Sequence, residues 1–357
     1  MQAGRRQFIA GLLATGLVPK PSWADAGSPS FLSAAALVDG TYVLCGIDAA
    51  LKVTFQLSLP ARGHAAAAHP SRPEAVAFAR RPGTYAVVID CVTGSQTALL
   101  QVPGGRHFYG HGAFSSDGHL LFTTENDFEA GRGRIGVWDT RAGYRRIDEW
   151  DSGGVGPHDI KRLPNTETLV VANGGIDTHP DSGRTTLNIP TMRPNLTYIE
   201  AGAIVEVAEP TPPMHKNSIR HLAVNAEGQV AFGMQWQGDG AAPMLVGTHV
   251  RGQEMVLLDT PLDHLRDMRG YVGSICYADH DDTIAVTSPR GGIIQFYDAR
   301  SGQLKKSRPL PDVCGAAASA DGILLTSGTG ALSFMTGGQQ TVSRTESASW
   351  DNHLIPL

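Results

Sequence analysis

No run of 18 apolar residues occurs in this 357-residue chain, which excludes a hydrophobic helix crossing a bilayer. Basic residues are sparse and scattered, 29 against 34 acidic ones for a formal charge of −5. Without a Lys/Arg cluster the chain lacks the electrostatic footprint that a nucleic-acid backbone requires. There are only four cysteines, none in a Cys-x-x-Cys or Cys-x-x-Cys-His arrangement, so zinc-ribbon and c-type haem readings fall away. No serine sits in a nucleophile-elbow setting. The glycines of Gly131-Arg132-Gly133-Arg134-Ile135-Gly136 lie between two strand-like segments rather than before a helix. That segment reads as a loop, not as a dinucleotide fingerprint. What the chain does have is 42 Gly and 22 Pro dispersed among short Val/Ile/Leu/Thr/Tyr runs, the composition of many strands and turns in an all-β fold. With 41% hydrophobic residues, one large domain can bury a substantial core.

At the N-terminus, Arg5-Arg6-Gln7-Phe8-Ile9-Ala10 precedes the moderately apolar stretch Gly11 to Val18, and Ala24-Asp25-Ala26 places small residues at alternate positions. This pattern predicts a twin-arginine signal peptide over residues 1–26, cleaved after Ala26, with a periplasmic mature domain over 27–357. No cysteine follows the cleavage position, so no lipid anchor is indicated. The twin-arginine route exports proteins already folded, often with a cofactor in place. Because folding then precedes exposure to an oxidising compartment, disulfides among Cys45, Cys91, Cys276 and Cys314 are not assumed.

A weak internal repeat runs through the remainder: a short strand, a turn, a second strand, a third ending in Asp, then a fourth. The clearest copy begins His111-Gly112-Ala113-Phe114-Ser115-Ser116-Asp117-Gly118 and continues through Leu120–Thr124, Ile135–Asp139 and Tyr144–Trp150. Successive copies start at residues 64, 111, 158, 221, 274 and 315, intervals of 47, 47, 63, 53 and 41. These are blade lengths of a β-propeller, and seven blades of about 47 residues account for the mature chain. The longest interval carries its excess between Asn173 and Pro194. Before His64, Tyr42–Asp48 and Lys52–Leu59 match the third and fourth strands of the next copy, so the first blade lacks its innermost strand. Asn352-His353-Leu354-Ile355 resembles Arg220-His221-Leu222-Ala223 and can supply it, closing the ring without an open sheet edge.

Taking the first residue of each inner strand as reference gives His353, His64, His111, His158, His221, Ser274 and Gly315. Thirteen histidines in 357 positions do not place five in seven equivalent positions by accident. Inner strands line the central channel, so these imidazoles are expected to converge on one axis, where neutral nitrogen donors suit iron, copper or zinc. The same face collects Glu125, Asn126, Asp127, Asn173, Gln235 and Arg290, and Asp159 follows His158; such groups could orient imidazoles or hold an anionic ligand. The competing reading is a hydrogen-bonded channel lining. A structural role like that of the Gly-His pair in WD repeats fits poorly, because His111 stands only three residues before Phe114 and His158 and His221 follow Pro157 and Arg220.

The strings Arg106-His107-Phe108-Tyr109-Gly110-His111-Gly112, Gly156-Pro157-His158, Val171-Ala172-Asn173-Gly174-Gly175-Ile176, Ser218-Ile219-Arg220-His221-Leu222 and Thr287-Ser288-Pro289-Arg290-Gly291-Gly292 resemble an uncharacterised family of twin-arginine-exported bacterial proteins, a domain of unknown function. Genes of that family commonly neighbour imelysin-type periplasmic iron-uptake proteins and a di-haem cytochrome-like oxidoreductase. The resemblance therefore implies iron acquisition or periplasmic metal handling, with either protein as partner. It implies no catalytic residue. The expectation is a periplasmic seven-bladed propeller holding iron, or copper, through His64, His111, His158 and His221, with His353 as a fifth ligand. The alternatives are a metal-free docking scaffold for an iron-uptake partner, and a small-molecule enzyme whose channel mouth grips an anionic substrate with Arg290 and Arg80.

Overall fold

The computed structural model describes residues 21–80, 84–183 and 185–357; the Arg5-Arg6 segment lies outside them. Among the described residues the chain forms seven antiparallel sheets of four strands each. The inner strands are Ala348–Pro356, Gly63–Ala68, Arg106–Phe114, Pro157–Arg162, Asn217–Val224, Ser274–Ala278 and Val313–Ser319, for blades 1 to 7 in that order. Each inner strand touches those of the blades on either side, and the last returns to the first. Blade 1 is the composite one. The C-terminal strand pairs antiparallel with Phe31–Leu37, which is followed by Tyr42–Ile47 and Val53–Leu59.

The strand sequences explain this packing. In Leu169–Asn173 every residue is buried, and alternate side chains leave a strand on opposite faces. Leu169 and Val171 join the core between blades 3 and 4, while Val170 and Ala172 join the core between blades 4 and 5. The same division holds around the ring, with one apolar cluster at each of the seven blade junctions. Burying a large side chain there, such as Phe78 at 0% exposure, stabilises the fold by about 2–3 kcal/mol. Towards the axis the circumference shrinks and side chains shrink with it, as in His64-Ala65-Ala66-Ala67-Ala68 and Gly315-Ala316-Ala317-Ala318.

One feature of the inner strands matters for function. Six of the seven slip register against their second strand, at Asp351–His353, His64-Ala65, Tyr109–His111, His158, Arg220 and Cys314-Gly315. The seventh, starting at Ser274, is regular. A bulge bends the strand and re-aims the side chains it carries.

Some boundaries differ from the expectation. The segment from Arg132 is not a loop but the start of the third strand of blade 3, Arg132–Asp139. Arg134 is held there by Asp127, Glu149 and Asp151, ion pairs that a glycine count cannot reveal. Glu125, Asn126 and Asp127 likewise prolong the second strand, Leu120–Asp127. Ahead of the expected mature start, the Trp23 indole N–H donates to the His69 carbonyl at 3.1 Å and Ala26 is buried between blades 1 and 2. The four cysteines are buried and unpaired with one another, and burial pushes each thiol up to about 12. Among the described residues, no helix is long and apolar enough to cross a membrane.

Candidate metal centre

The bulges bring five imidazoles together. Ring centroids of His64 lie 5.0 Å from His111, 5.6 Å from His158 and 4.5 Å from His353. His221 is 5.1 Å from His158 and 5.2 Å from His353. Glycine makes part of the room. Gly110 has φ +103°, and a β-carbon on it would stand 2.5 Å from Cδ2 of His64, so any side chain here would be strained and would displace the ring.

Three of the rings face a polar group of the neighbouring blade rather than of their own. Nδ1 of His111, in blade 3, lies 3.1 Å from Oδ1 of Asp159 in blade 4. Nδ1 of His158, in blade 4, lies 2.8 Å from the Arg220 carbonyl in blade 5, a position from which only a protonated nitrogen can bond. His64 Nδ1 stands 3.8 Å from Asp351 in blade 1. Both aspartates are themselves fixed. Asp159 accepts from the backbone N–H groups of Ile160 and Leu222; Asp351 accepts from Arg62 at 2.9 Å and Arg80 at 3.1 Å. This is the carboxylate-to-histidine arrangement that sets tautomer and ring angle at metal sites.

Burial keeps His64, His158, His221 and His353 neutral. Burial pushes His64 down from the ordinary 6.5 to about 4 against the pull of Asp351, and His221 to about 3 against that of Asp159. Burial, reinforced by the other cations and imidazoles, holds His158 and His353 well below the ordinary value. For Asp159 and Asp351 burial acts the other way, yet Lys161 and His111 on the one, and His64, Arg80 and Arg62 on the other, hold both carboxyls below the ordinary range. The result is neutral donors backed by ionised carboxylates.

The donors are also unspent. Nδ1 of His64, Nε2 of His111, both nitrogens of His221 and Nε2 of His353 are buried without a hydrogen-bond partner among the described residues. Buried polar atoms are almost always satisfied, and orphans on four rings of one cluster, each neutral ring offering one lone pair, are what a partner that accepts nitrogen lone pairs would relieve. His64, His111 and His158 each offer a ligand atom, all within 4.8 Å of one another. Two nitrogens on one ion at about 2.1 Å each stand at most about 4.2 Å apart, so ring movements of under about 1 Å close three of them on one cation.

The other predicted residues divide. Arg80, Gln235 and Arg290 line a cavity of about 300 Å³ at the channel mouth, which His64, His158 and His221 floor. Arg290 is exposed, its guanidinium 4.3 Å over the Tyr271 ring. Glu125 lies instead inside the blade 3 sheet, in a bidentate pair with Arg146 at 2.6 and 2.9 Å. Asp127 pairs with Arg106 at 2.6 Å. The Asn126 amide donates to the Thr178 carbonyl at 3.1 Å. Asn173 spends its amide inside blade 4 on Ser152, Asn195 and Thr197. Sequence reasoning did not single out Asp351, Arg62, Tyr109 or Tyr271. For Asp351 a signal existed, since it stands two residues before His353 within a strand already assigned to the channel.

A family model described as "Protein of unknown function (DUF1513)" matches residues 57–357, which includes all five histidines. The chain belongs to that family. No curated protein matches the DUF1513 chain at a significant level. Among solved structures it is similar to Kuenenia stuttgartiensis hydrazine synthase, with TM-score 0.60 and 14% identity over 86% of this chain and 89% of that one. It is also similar to a chain of the mitotic checkpoint complex, with TM-score 0.55 and 13% identity over 78% and 76%. At such identities the likeness is one of fold.

Proposed function

We propose that this DUF1513 protein is a periplasmic metal-binding propeller that takes iron, or in second place copper, at His64, His111 and His158, with His221 and His353 completing the donor set. The observation that carries this reading is the cluster of orphaned, neutral imidazole nitrogens on the channel axis. Imidazole without thiolate suits iron, copper or zinc, and all four cysteines lie elsewhere as unreactive buried thiols. The twin-arginine segment and the family's gene neighbours favour a redox metal handled in the periplasm, with an imelysin-like iron-uptake protein or a cytochrome-like oxidoreductase as partner. Bound there, iron or copper would supply a one-electron couple. The protein's own contribution is to hold the proton on Nδ1 of His111 and His158, which turns Nε2 of each ring into the donor.

The test is elemental analysis of protein exported through its own signal and purified without chelators or metal-affinity resin, beside a His111→Ala/His158→Ala variant. Near-stoichiometric iron or copper in the wild type, lost in the variant, supports the reading. Folded wild-type protein that arrives metal-free and takes up neither Fe(II) nor copper overturns it, leaving a docking scaffold as the better account.

A further inference from the structure

The two ends of the channel differ in chemistry. At the far end a cavity of about 640 Å³ is lined by apolar groups such as Leu222, Ala223, Ile275, Ala316 and Ala317 together with Lys161, Arg162 and the carboxylate of Asp279. At the histidine end three arginines from three blades line the mouth: Arg80, Arg220 and Arg290. No carboxylate lines this mouth among the described residues. Asp159 and Asp351 stand behind the rings, and Asp351 is shared between Arg62 and Arg80. Arg290 pairs with no carboxylate among the described residues, and Tyr271 holds its guanidinium in place from one side. A fixed guanidinium with open N–H groups is a bidentate receptor for a carboxylate. A cationic, hydrophilic mouth of this kind attracts small anions and rejects apolar molecules.

We infer that the mouth binds a small dicarboxylate, one carboxylate on Arg290 and the other directed down to the histidine cluster. Three cations from separate blades suit a ligand with more than one anionic group, and about 300 Å³ lies at the lower end of ligand-site volumes. Apart from Ile176 the lining is polar: hydroxyls of Tyr109, Thr178 and Thr186 and amides of Gln235 and Gln237 can take a hydroxy or keto substituent. The lower half of this assignment rests on the metal reading above, because a metal held by the imidazoles is what the second carboxylate would meet. The arginine half does not.

Malonate serves as the probe, titrated calorimetrically at low salt into metal-free and Fe(II)-loaded protein, with neutral malonamide as control. Malonate binding to the metal-free form, an affinity loss of about tenfold or more in Arg290→Gln, and tighter binding once metal is loaded support the assignment. Because Arg290 is exposed, its replacement leaves the fold intact. No malonate binding to either form, an affinity in Arg290→Gln equal to wild type, or equal binding of malonamide overturns it. Metal uptake by the wild type separates the two readings. Arg290-dependent malonate binding in wild-type protein that takes no metal would retain the arginine half and discard the metal centre. Stoichiometric metal without malonate binding would do the reverse.

Discussion

Blades 1 to 5 and blades 6 and 7 face the same channel with opposite chemistry. On the first side four of the five clustered imidazoles present buried nitrogens without a hydrogen-bond partner among the described residues. On the other, Ser274 accepts from the Ala316 N–H at 3.2 Å, Thr326 from the Gly315 N–H at 2.9 Å, and Thr287 donates to the Cys314 carbonyl at 2.7 Å. Both halves are polar, but only one is incomplete. Polarity at a propeller axis is therefore a weak sign of function; unspent hydrogen-bonding capacity is a strong one, since orphaned buried groups cost about 1–3 kcal/mol each.

The contrast can be broken most directly by removing donors. The His111→Ala/His158→Ala variant is expected to fall from about one metal per chain to background in elemental analysis, whereas Ser274→Ala keeps the wild-type content. If Ser274→Ala also loses metal, the division of the ring is wrong.

Next in size is the support behind the rings. Asp159→Asn leaves the donors in place but loses the charge that orders His111, and a chelator-competition titration should show metal held about 10- to 100-fold more weakly. Unchanged affinity would mean that Asp159 serves Lys161 and the backbone alone.

Acid should unfold the metal-free protein through the same side of the ring. A histidine held below its ordinary value takes its proton in the unfolded chain first, so the unfolded state binds more protons as pH falls. Stability is thus complete above 6.5 and declines through His64 at about 4 and His221 at about 3. The aspartates, lowered in the fold, contribute to the same decline only below their ordinary 3.8. Thermal melts should show Tm falling already between pH 6.5 and 4, a range in which blades 6 and 7 present no comparable group to the axis. A flat Tm there would mean that the rings are not held neutral.

Smaller effects concern shape. Gly110→Ala forces a β-carbon onto a φ of +103° and against His64, with an expected loss of about 2–4 kcal/mol in urea denaturation. Ser274→Ala, which only strands one backbone N–H, should cost about 1 kcal/mol.

The seven blades, their closure and the five histidines were legible because each is a matter of register: equivalent positions in a repeat meet at the axis whatever their neighbours do. What orients the rings was not, because each partner comes from an adjoining blade, as with Asp159 on His111 and Asp351 on His64. Nor could register show that Glu125 and Asp127, drawn to this face by their strand, are engaged by Arg146 and Arg106 within their own sheet. The strand bulges were equally hidden, although every inner strand that carries a clustered histidine has one, as does the strand at Gly315, while the strand at Ser274 is regular.

The composite first blade has a consequence for assembly. The strand Ala348–Pro356 brings both His353 and Asp351, and Asp351 clasps Arg62 and Arg80, 289 and 271 residues upstream. The cluster therefore lacks His353, and His64 lacks the neighbouring Asp351, until that strand docks. Loading would then act as a seal of completion, with a filled centre marking a ring that has shut.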